Sequence, residues 1–362
     1  PQITCVLWVP RLEQVLQDGV PAALEAGCGT GKSEVAIVPA VAHRRARGLG
    51  PVLVACSKLV QLDQYRRRTL PALAEHLPGG LNWVVLKGRP EYPCAAKLND
   101  LPAGSVPDGA LARLKTLQDD LQSAGSPYPD LTWHEKAAVK LEDGECPGAR
   151  DCPFAGQCVY ERKKKEATEA DVVLCSQDLL VLSQKLRADS DGKAFILPAP
   201  GVIVVDEAHE LADSARRQLG DERTQSGLQR LARQAGAHLH GDDKGMTAAV
   251  MAVFAAIENN RFERELDDRD QVAAEGHLRD LSMVANTLKW ALLDAAENID
   301  DEKARRRVER TARLLGGVRA WAEGLAESSW GDEGELITYK PEHGGTISRA
   351  LIDVAGVLTE LL

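Results

Sequence analysis

No uninterrupted apolar run in this 362-residue sequence approaches the roughly 18 residues that a bilayer crossing requires. The sequence opens at Pro1 with no charged-then-apolar leader, so a cytoplasmic rather than secreted protein is expected. Positive charge is not in excess either. Lys and Arg number 44 against 54 Asp and Glu, for a net charge of −10. That balance argues against a surface coated in nucleic-acid-binding charge but leaves room for a local groove, because phosphate binding needs only a few well-placed cations. Cysteine is sparse, at eight positions. A large chain without a secretory signal does not call for a disulfide scaffold. Cys5, Cys28, Cys56 and Cys175 sit in apolar or glycine-rich stretches and read as ordinary intracellular residues. No internal repeat stands out.

What is present is an alternation. Apolar runs at 21–27, 51–57, 81–88, 170–176 and 201–209 read as buried strands, and helices fit between them at 32–47 and 58–76. Such alternation implies α/β architecture with a parallel sheet covered on both faces. Two stretches break it. Residues 89–165 are rich in Pro, Gly and Asp, whereas 213–327 read as entirely helical. In the latter, Leu278, Leu281, Ala285, Leu288 and Leu292 form one stripe, and Val308, Leu315, Val318, Ala322 and Leu325 a second. Two facing stripes predict a helical bundle inserted into the α/β domain.

"EAGCGTGKSEVA" (25–36) follows the first expected strand and opens a helix. Ala26, Gly27, Cys28, Gly29, Thr30, Gly31, Lys32 and Ser33 form a phosphate loop in which Ala26 replaces the usual first glycine. The glycines let backbone amides curl around phosphate oxygens at a helix N-terminus. Lys32 would reach the β- and γ-phosphates, and the Ser33 hydroxyl would ligate Mg²⁺. "VIVVDEAHE" (202–210) delivers Asp206 and Glu207 to the carboxyl end of a strand, where α/β proteins bind ligands. Asp206 suits the Mg²⁺ shell, and Glu207 suits a base for the attacking water. A solvated acidic strand end is the bland reading of either carboxylate alone. Together with the phosphate loop, ATP hydrolysis is the better one.

Cys94, Cys146, Cys152 and Cys158 place four thiols in one segment with little core of its own. Closing so long a loop is entropically costly, and a metal centre would offset that cost. Structural zinc favours cysteine pairs two to four residues apart, yet both short gaps here hold five. Four thiolates also suit an iron–sulfur cluster. Spacing alone leaves zinc and iron–sulfur open. The run Arg162–Lys165 in "YERKKKE" likewise reads as a solvated helix face or as phosphate contacts.

The order of these motifs resembles that of the iron–sulfur superfamily 2 helicases of the DinG/XPD family. The resemblance rests on A-x-x-G-x-G-K-S, "KGRPEYPC", "CPGARDCPFAGQCVYERKKKEATEADVVLCSQDLL" and D-E-A-H, and runs from about residue 2 to residue 211. It implies a RecA-like motor domain, with ATP and Mg²⁺ as cofactors and a [4Fe–4S] cluster on the four cysteines. It further implies 5′-to-3′ unwinding, with single-stranded, forked or displaced-strand DNA as partner. Gln2, 30 residues before Lys32, stands where these helicases read adenine, and His209 where they couple nucleotide state to the DNA site. The cluster would lie beside the DNA path, which makes Arg89, Tyr92, Tyr160, Arg162, Lys163, Lys164 and Lys165 DNA candidates, the tyrosines by stacking on bases.

The implied domains are motor residues 1–86, a cluster domain at 87–165, motor residues 166–212, a helical arch at 213–335 and a return to the motor at 336–362. No motif of a second motor domain follows, so an N-terminal part of a longer enzyme is expected. One departure stands out: Ser176-Gln177 replaces the family's usual Asn-His pair. A single-stranded-DNA or partner-binding module without translocation, and a zinc-stabilised ATPase, are the competing readings.

Overall fold

The computed structural model describes residues 2–25, 31–99, 101, 107–117, 132, 135, 138–141, 146–239, 241, 243–257, 262–330, 335–341, 345–351 and 354–361. The chain divides into two compact units, Pro1–Ser214 with Leu361–Leu362, and Ala215–Glu360. Among the described residues, no helix is long and apolar enough to cross a membrane.

The first unit is α/β. Helix α1 (Gln2–Asp18) precedes α2 (Lys32–Arg47), β1 (Val52–Cys56), α3 (Leu59–Gln64), a π-helical turn at Tyr65–Thr69 and α4 (Leu70–His76). Then come β2 (Trp83–Val85), α5 (Ala95–Asn99), α6 (Asp108–Leu117), α7 (Val159–Glu169), β3 (Val172–Ser176), α8 (Gln177–Asp189) and β4 (Val202–Val205). The four strands lie in the order β2-β3-β1-β4, all parallel, with Val52 opposite both Val172 and Val202. This is the sheet expected of a RecA-like domain.

All five side chains of β1 are buried, because alternate residues feed the two faces of a sheet covered on both sides. Val52, Val54 and Cys56 pack with Ile37, Val41, Leu62, Tyr65 and Leu70. Leu53 and Ala55 pack on the opposite face with Tyr92, Val159, Tyr160 and Leu180. Burying each such aliphatic side chain is worth about 1.5–3 kcal/mol. Two glycines fix the entry to the sheet. A Cβ on Gly50 would meet the Ala199 carbonyl oxygen at 2.0 Å, and one on Gly201 would meet that of Gly50 at 2.5 Å.

One expected strand, at 21–27, does not form over its described residues. Residues 21–25 have no strand structure and are largely exposed. "PAALE" is alanine-rich and lacks β-branched residues, so nothing but its apolarity recommended it for a sheet.

The second unit begins within α9 (Leu211–Leu219) and continues through β5 (Asp221–Thr224), α10 (Gln225–His238), α11 (Lys244–Ile257), β6 (Arg264–Glu265), α12 (Asp268–Glu297) and α13 (Glu302–Glu327). It ends with β7 (Glu335–Lys340), β8 (Thr346–Leu351) and α14 (Ala355–Leu361). Both apolar stripes are buried in one core shared by α12 and α13. The expectation of helix throughout 213–327 is corrected by β5 and β6, which are the edges of an antiparallel sheet ordered β5-β8-β7-β6. "DERT" and "RE" carry no apolar alternation to announce a strand; the pairing with β7 and β8 makes them one. Strands β7 and β8, which fall in the stretch expected by resemblance to lead back to the motor, pair here with those two edges.

Candidate nucleotide site and cysteine loop

The sheet ends where the carboxylates begin. The Asp206 N–H donates to the Ala55 carbonyl (2.9 Å), which extends the β1–β4 ladder by one residue. The Glu207 N–H then donates to Asp206 Oδ1 at 3.1 Å. Glu207 is left-handed, with φ 52° and ψ 54°. A non-glycine residue in that region costs about 1–2 kcal/mol, and such residues cluster at functional sites.

Helix α2 opens beside this turn. Gly31, at φ 81°, supplies a left-handed N-cap that glycine adopts without penalty. Lys32 and Ser33 form the first turn, and Gly48 closes the other end of the helix, where Arg44, Arg45 and Arg47 complement the dipole. Ala26, Gly27, Cys28, Gly29 and Thr30 lie outside the described residues, while Gln2 is described only as the first residue of α1.

Tyr65 joins the two halves of the site. Only 4% exposed, it stands at the start of the π-helical turn, a feature frequent at functional positions. Its hydroxyl is placed between the Ser33 and Asp206 side chains and interacts with both. Burial pushes the phenol well above its ordinary range, which keeps it a neutral donor. The expected Mg²⁺ ligands, far apart in sequence, therefore meet at one hydroxyl. Cys56 closes the same end of β1, and burial, reinforced by the Asp206 and Cys175 charges, holds its thiol protonated.

Ser176 and Gln177 also have work in this fold. The Ser176 hydroxyl caps α8, accepting from the Leu179 N–H at 3.1 Å. Gln177 Nε2 donates to the carbonyls of Asp206 (2.8 Å) and Glu207 (3.2 Å). His209 is exposed, with Nδ1 3.5 Å from Glu207 Oε2 and Nε2 3.7 Å from Glu210 Oε1. Tyr65 and Gln177 escape sequence reasoning, since one reads as a core aromatic and the other as a departure from a family pattern.

All four cysteines of the loop are half-buried free thiols. Burial pushes the Cys94 thiol up, and the neighbouring thiols of Cys146 and Cys152 add to it. Cys158 is raised by burial, and its neighbours include Glu161 and Cys146. Among the described residues, no three His, Cys, Asp or Glu side chains are grouped as a metal ion requires. The backbone addresses one of the sulfurs, the Gly148 N–H donating to Cys146 Sγ at 3.4 Å. Such a donor favours thiolate. By residue type the four cysteines match a four-thiolate site.

The DNA candidates divide. Tyr92 (2% exposed) and Tyr160 (4% exposed) pack as a tilted pair with ring centroids 5.8 Å apart. The Tyr92 hydroxyl accepts the Lys87 N–H at 3.0 Å. Both rings face the core, and neither offers a free face to a base. Arg89 lies 4.6 Å over the Tyr160 ring and 3.3 Å from Glu161 Oε1. Lys163, 5% exposed, is held at 2.6 Å by Glu166. Lys164 donates to the Phe195 carbonyl at 3.2 Å and sits over the Tyr160 and Phe195 rings. Arg162 and Lys165 are the exposed members of the run.

No protein-family model matches the chain. It is similar to "ATP-dependent helicase DinG" of Mycobacterium tuberculosis, 30% identical over 245 residues, covering 60% of this chain and 35% of that protein. It is similar to "ATP-dependent DNA helicase YoaA" of Escherichia coli at 29% identity over 218 residues, covering 57% of this chain and 32% of that protein. With "Probable ATP-dependent helicase YpvA" of Bacillus subtilis it shares 24% identity over 287 residues, covering 74% of this chain and 43% of that protein. The chain is thus a relative of the DinG-type helicases and spans about a third of the length of the first two.

Proposed function

We propose that this relative of the DinG-type helicases is the ATP-binding motor part of an enzyme that unwinds DNA from 5′ to 3′. The observation that carries the proposal is the meeting of Ser33 and Asp206 at the Tyr65 hydroxyl. It brings the end of a phosphate loop to a strand-end carboxylate, as Mg²⁺-dependent phosphoryl transfer requires. Lys32 would meet the β- and γ-phosphates, Ser33 and Asp206 would hold Mg²⁺, and Glu207 would accept a proton from the attacking water. Gln2 reads adenine, and His209, beside Glu207 and Glu210, links nucleotide state to DNA.

Cys94, Cys146, Cys152 and Cys158 would hold a [4Fe–4S] cluster, which when bound staples the loop and offers one-electron chemistry. The five-residue gaps separating Cys146, Cys152 and Cys158 support this reading over structural zinc, which favours pairs two to four residues apart. Single-stranded and forked DNA would pass near α7.

The test measures ATP turnover with and without single-stranded DNA, together with displacement of a strand from a 5′-tailed duplex. Lys32→Ala should abolish both activities. Glu207→Gln should retain ATP binding and lose hydrolysis. Turnover at the parental rate in the Lys32→Ala protein would sink the assignment.

A further inference from the structure

The left-handed Glu207 raises a question of support. A conformation costing about 1–2 kcal/mol persists only where its surroundings over-determine it. The strand does not do this, since its last ladder bond stops at the Asp206 N–H. The Glu207 N–H turns back to the Asp206 side chain. The two carbonyls of the turn remain, and one side chain takes both.

That side chain is Gln177. It is 1% exposed and begins α8, where the Ser176 cap fixes its backbone. Its amide nitrogen donates to the carbonyls of Asp206 and Glu207 at 2.8 and 3.2 Å. Its Oε1 accepts from the Ser214 hydroxyl of α9 at 3.3 Å, and Ser214 is itself buried. The orientation is determined at the carbonyl end. A flipped amide would set its oxygen against two carbonyl oxygens, whereas the Ser214 hydroxyl can donate or accept.

We propose that Gln177 is a positioning residue for the hydrolytic carboxylates, its buried amide clamping the Asp206–Glu207 turn in the left-handed form that aims Glu207. Ser214 is the outer anchor of the clamp. This rests on the function proposed above and goes beyond it, because the Gln177 amide acts through the backbone of the turn and the Ser214 hydroxyl. Its loss misaims Glu207 while leaving the phosphate loop in place, so it acts on kcat and spares KM. A misplacement of about 1 Å costs on the order of 100-fold in rate.

The experiment compares parental protein, Gln177→Met, Ser214→Ala and Lys32→Ala in the intact protein. Steady-state Mg²⁺–ATP turnover is measured alongside amide exchange at residues 206–209. Gln177→Met keeps the side-chain volume and removes the clamp. Its kcat is expected to fall about 100-fold with KM within about twofold, while exchange at Glu207 and Ala208 accelerates. Ser214→Ala, which removes only the outer anchor and is less exposed to misfolding, is expected to shift both readouts the same way by about threefold. Unchanged kcat and exchange in both variants would overturn the proposal, as would a kcat loss matched by an equal rise in KM. Parental turnover that survives Lys32→Ala would instead sink the proposed function, with the exchange arm still reporting on the clamp.

Discussion

The Tyr65 hydroxyl is placed to donate to the Asp206 carboxylate and to accept from the Ser33 hydroxyl. Both bonds form inside a water-poor site, because Tyr65 is buried among residues of the β1 face. Tyr65→Phe keeps the ring packing and removes the oxygen. Each bond contributes about 1 kcal/mol, so the variant should lose about 1–2 kcal/mol of stability in the absence of nucleotide. Urea unfolding checks this. A midpoint equal to that of the parental protein would show that water replaces the hydroxyl without loss.

Asp171 predicts a pH dependence. Its carboxylate accepts from Arg45 Nη2 at 2.6 Å and from the Asn82 N–H at 3.1 Å, and it also pairs with Arg44. Burial alone would raise its pKa. The Arg45 and Asn82 hydrogen bonds and the two guanidinium charges outweigh that and hold it below the ordinary carboxylate range. A depressed folded pKa means stability that is fully present above the unfolded value of about 3.9 and lost as pH falls through the folded value. Asp171→Asn should therefore cost about 1–3 kcal/mol near pH 7, and the gap should narrow as pH falls below the ordinary carboxylate range. A gap that stays constant with pH would mean that the charge contributes nothing.

Much of this was legible in the sequence, and the failures share a cause. The parallel strands announced themselves because a sheet covered on both faces demands continuous apolar runs, and Val52–Cys56 is one. The stripe from Leu278 to Leu292 gave its helix away by spacing. Lys32, Ser33, Asp206 and Glu207 stand out as candidates because phosphate chemistry constrains residue type at fixed offsets. Tyr65 and Gln177 do not, since each acts through a tertiary contact: a phenol reaching from one element to two others, an amide reaching to a neighbouring strand's end. β5 was hidden for the same reason, because "DERT" is a strand only beside β8.

The cysteine loop makes a chemical prediction. Among the described residues, Leu98, Leu114 and Val139 form one small buried cluster in the segment that holds these thiols. A bound metal centre adds a tie that offsets the entropy of ordering a long polar loop. Cys146→Ser should lose iron, visible absorbance and acid-labile sulfide together, and protease cleavage should rise between residues 89 and 165. Iron content equal to that of the parental protein would remove Cys146 from the ligand set.

The basic run on α7 can be divided residue by residue. Lys163 spends its charge on Glu166 inside the fold, and Lys164 is engaged with the Phe195 carbonyl and two rings. Arg162 and Lys165 are the members whose charge reaches solvent, although Arg162 lies 3.9 Å from Glu166. Single-strand binding releases counterions, and the slope of log Kobs against log salt falls by roughly 0.7 for each lost phosphate contact. Replacing Arg162 and Lys165 together with Ala should therefore flatten the slope by about 1.4 and weaken binding across all sequences alike. Lys163→Ala should leave the slope unchanged and instead lower stability, because it strips a buried stem and its ion pair from the face shared with Val159 and Tyr160. Titrating each protein with a single-stranded oligonucleotide over a range of salt concentrations, beside urea unfolding, separates the two effects. A full slope in the Arg162–Lys165 double variant would make the run a solvated helix face, and a flattened slope in Lys163→Ala would mean that α7 turns when DNA binds.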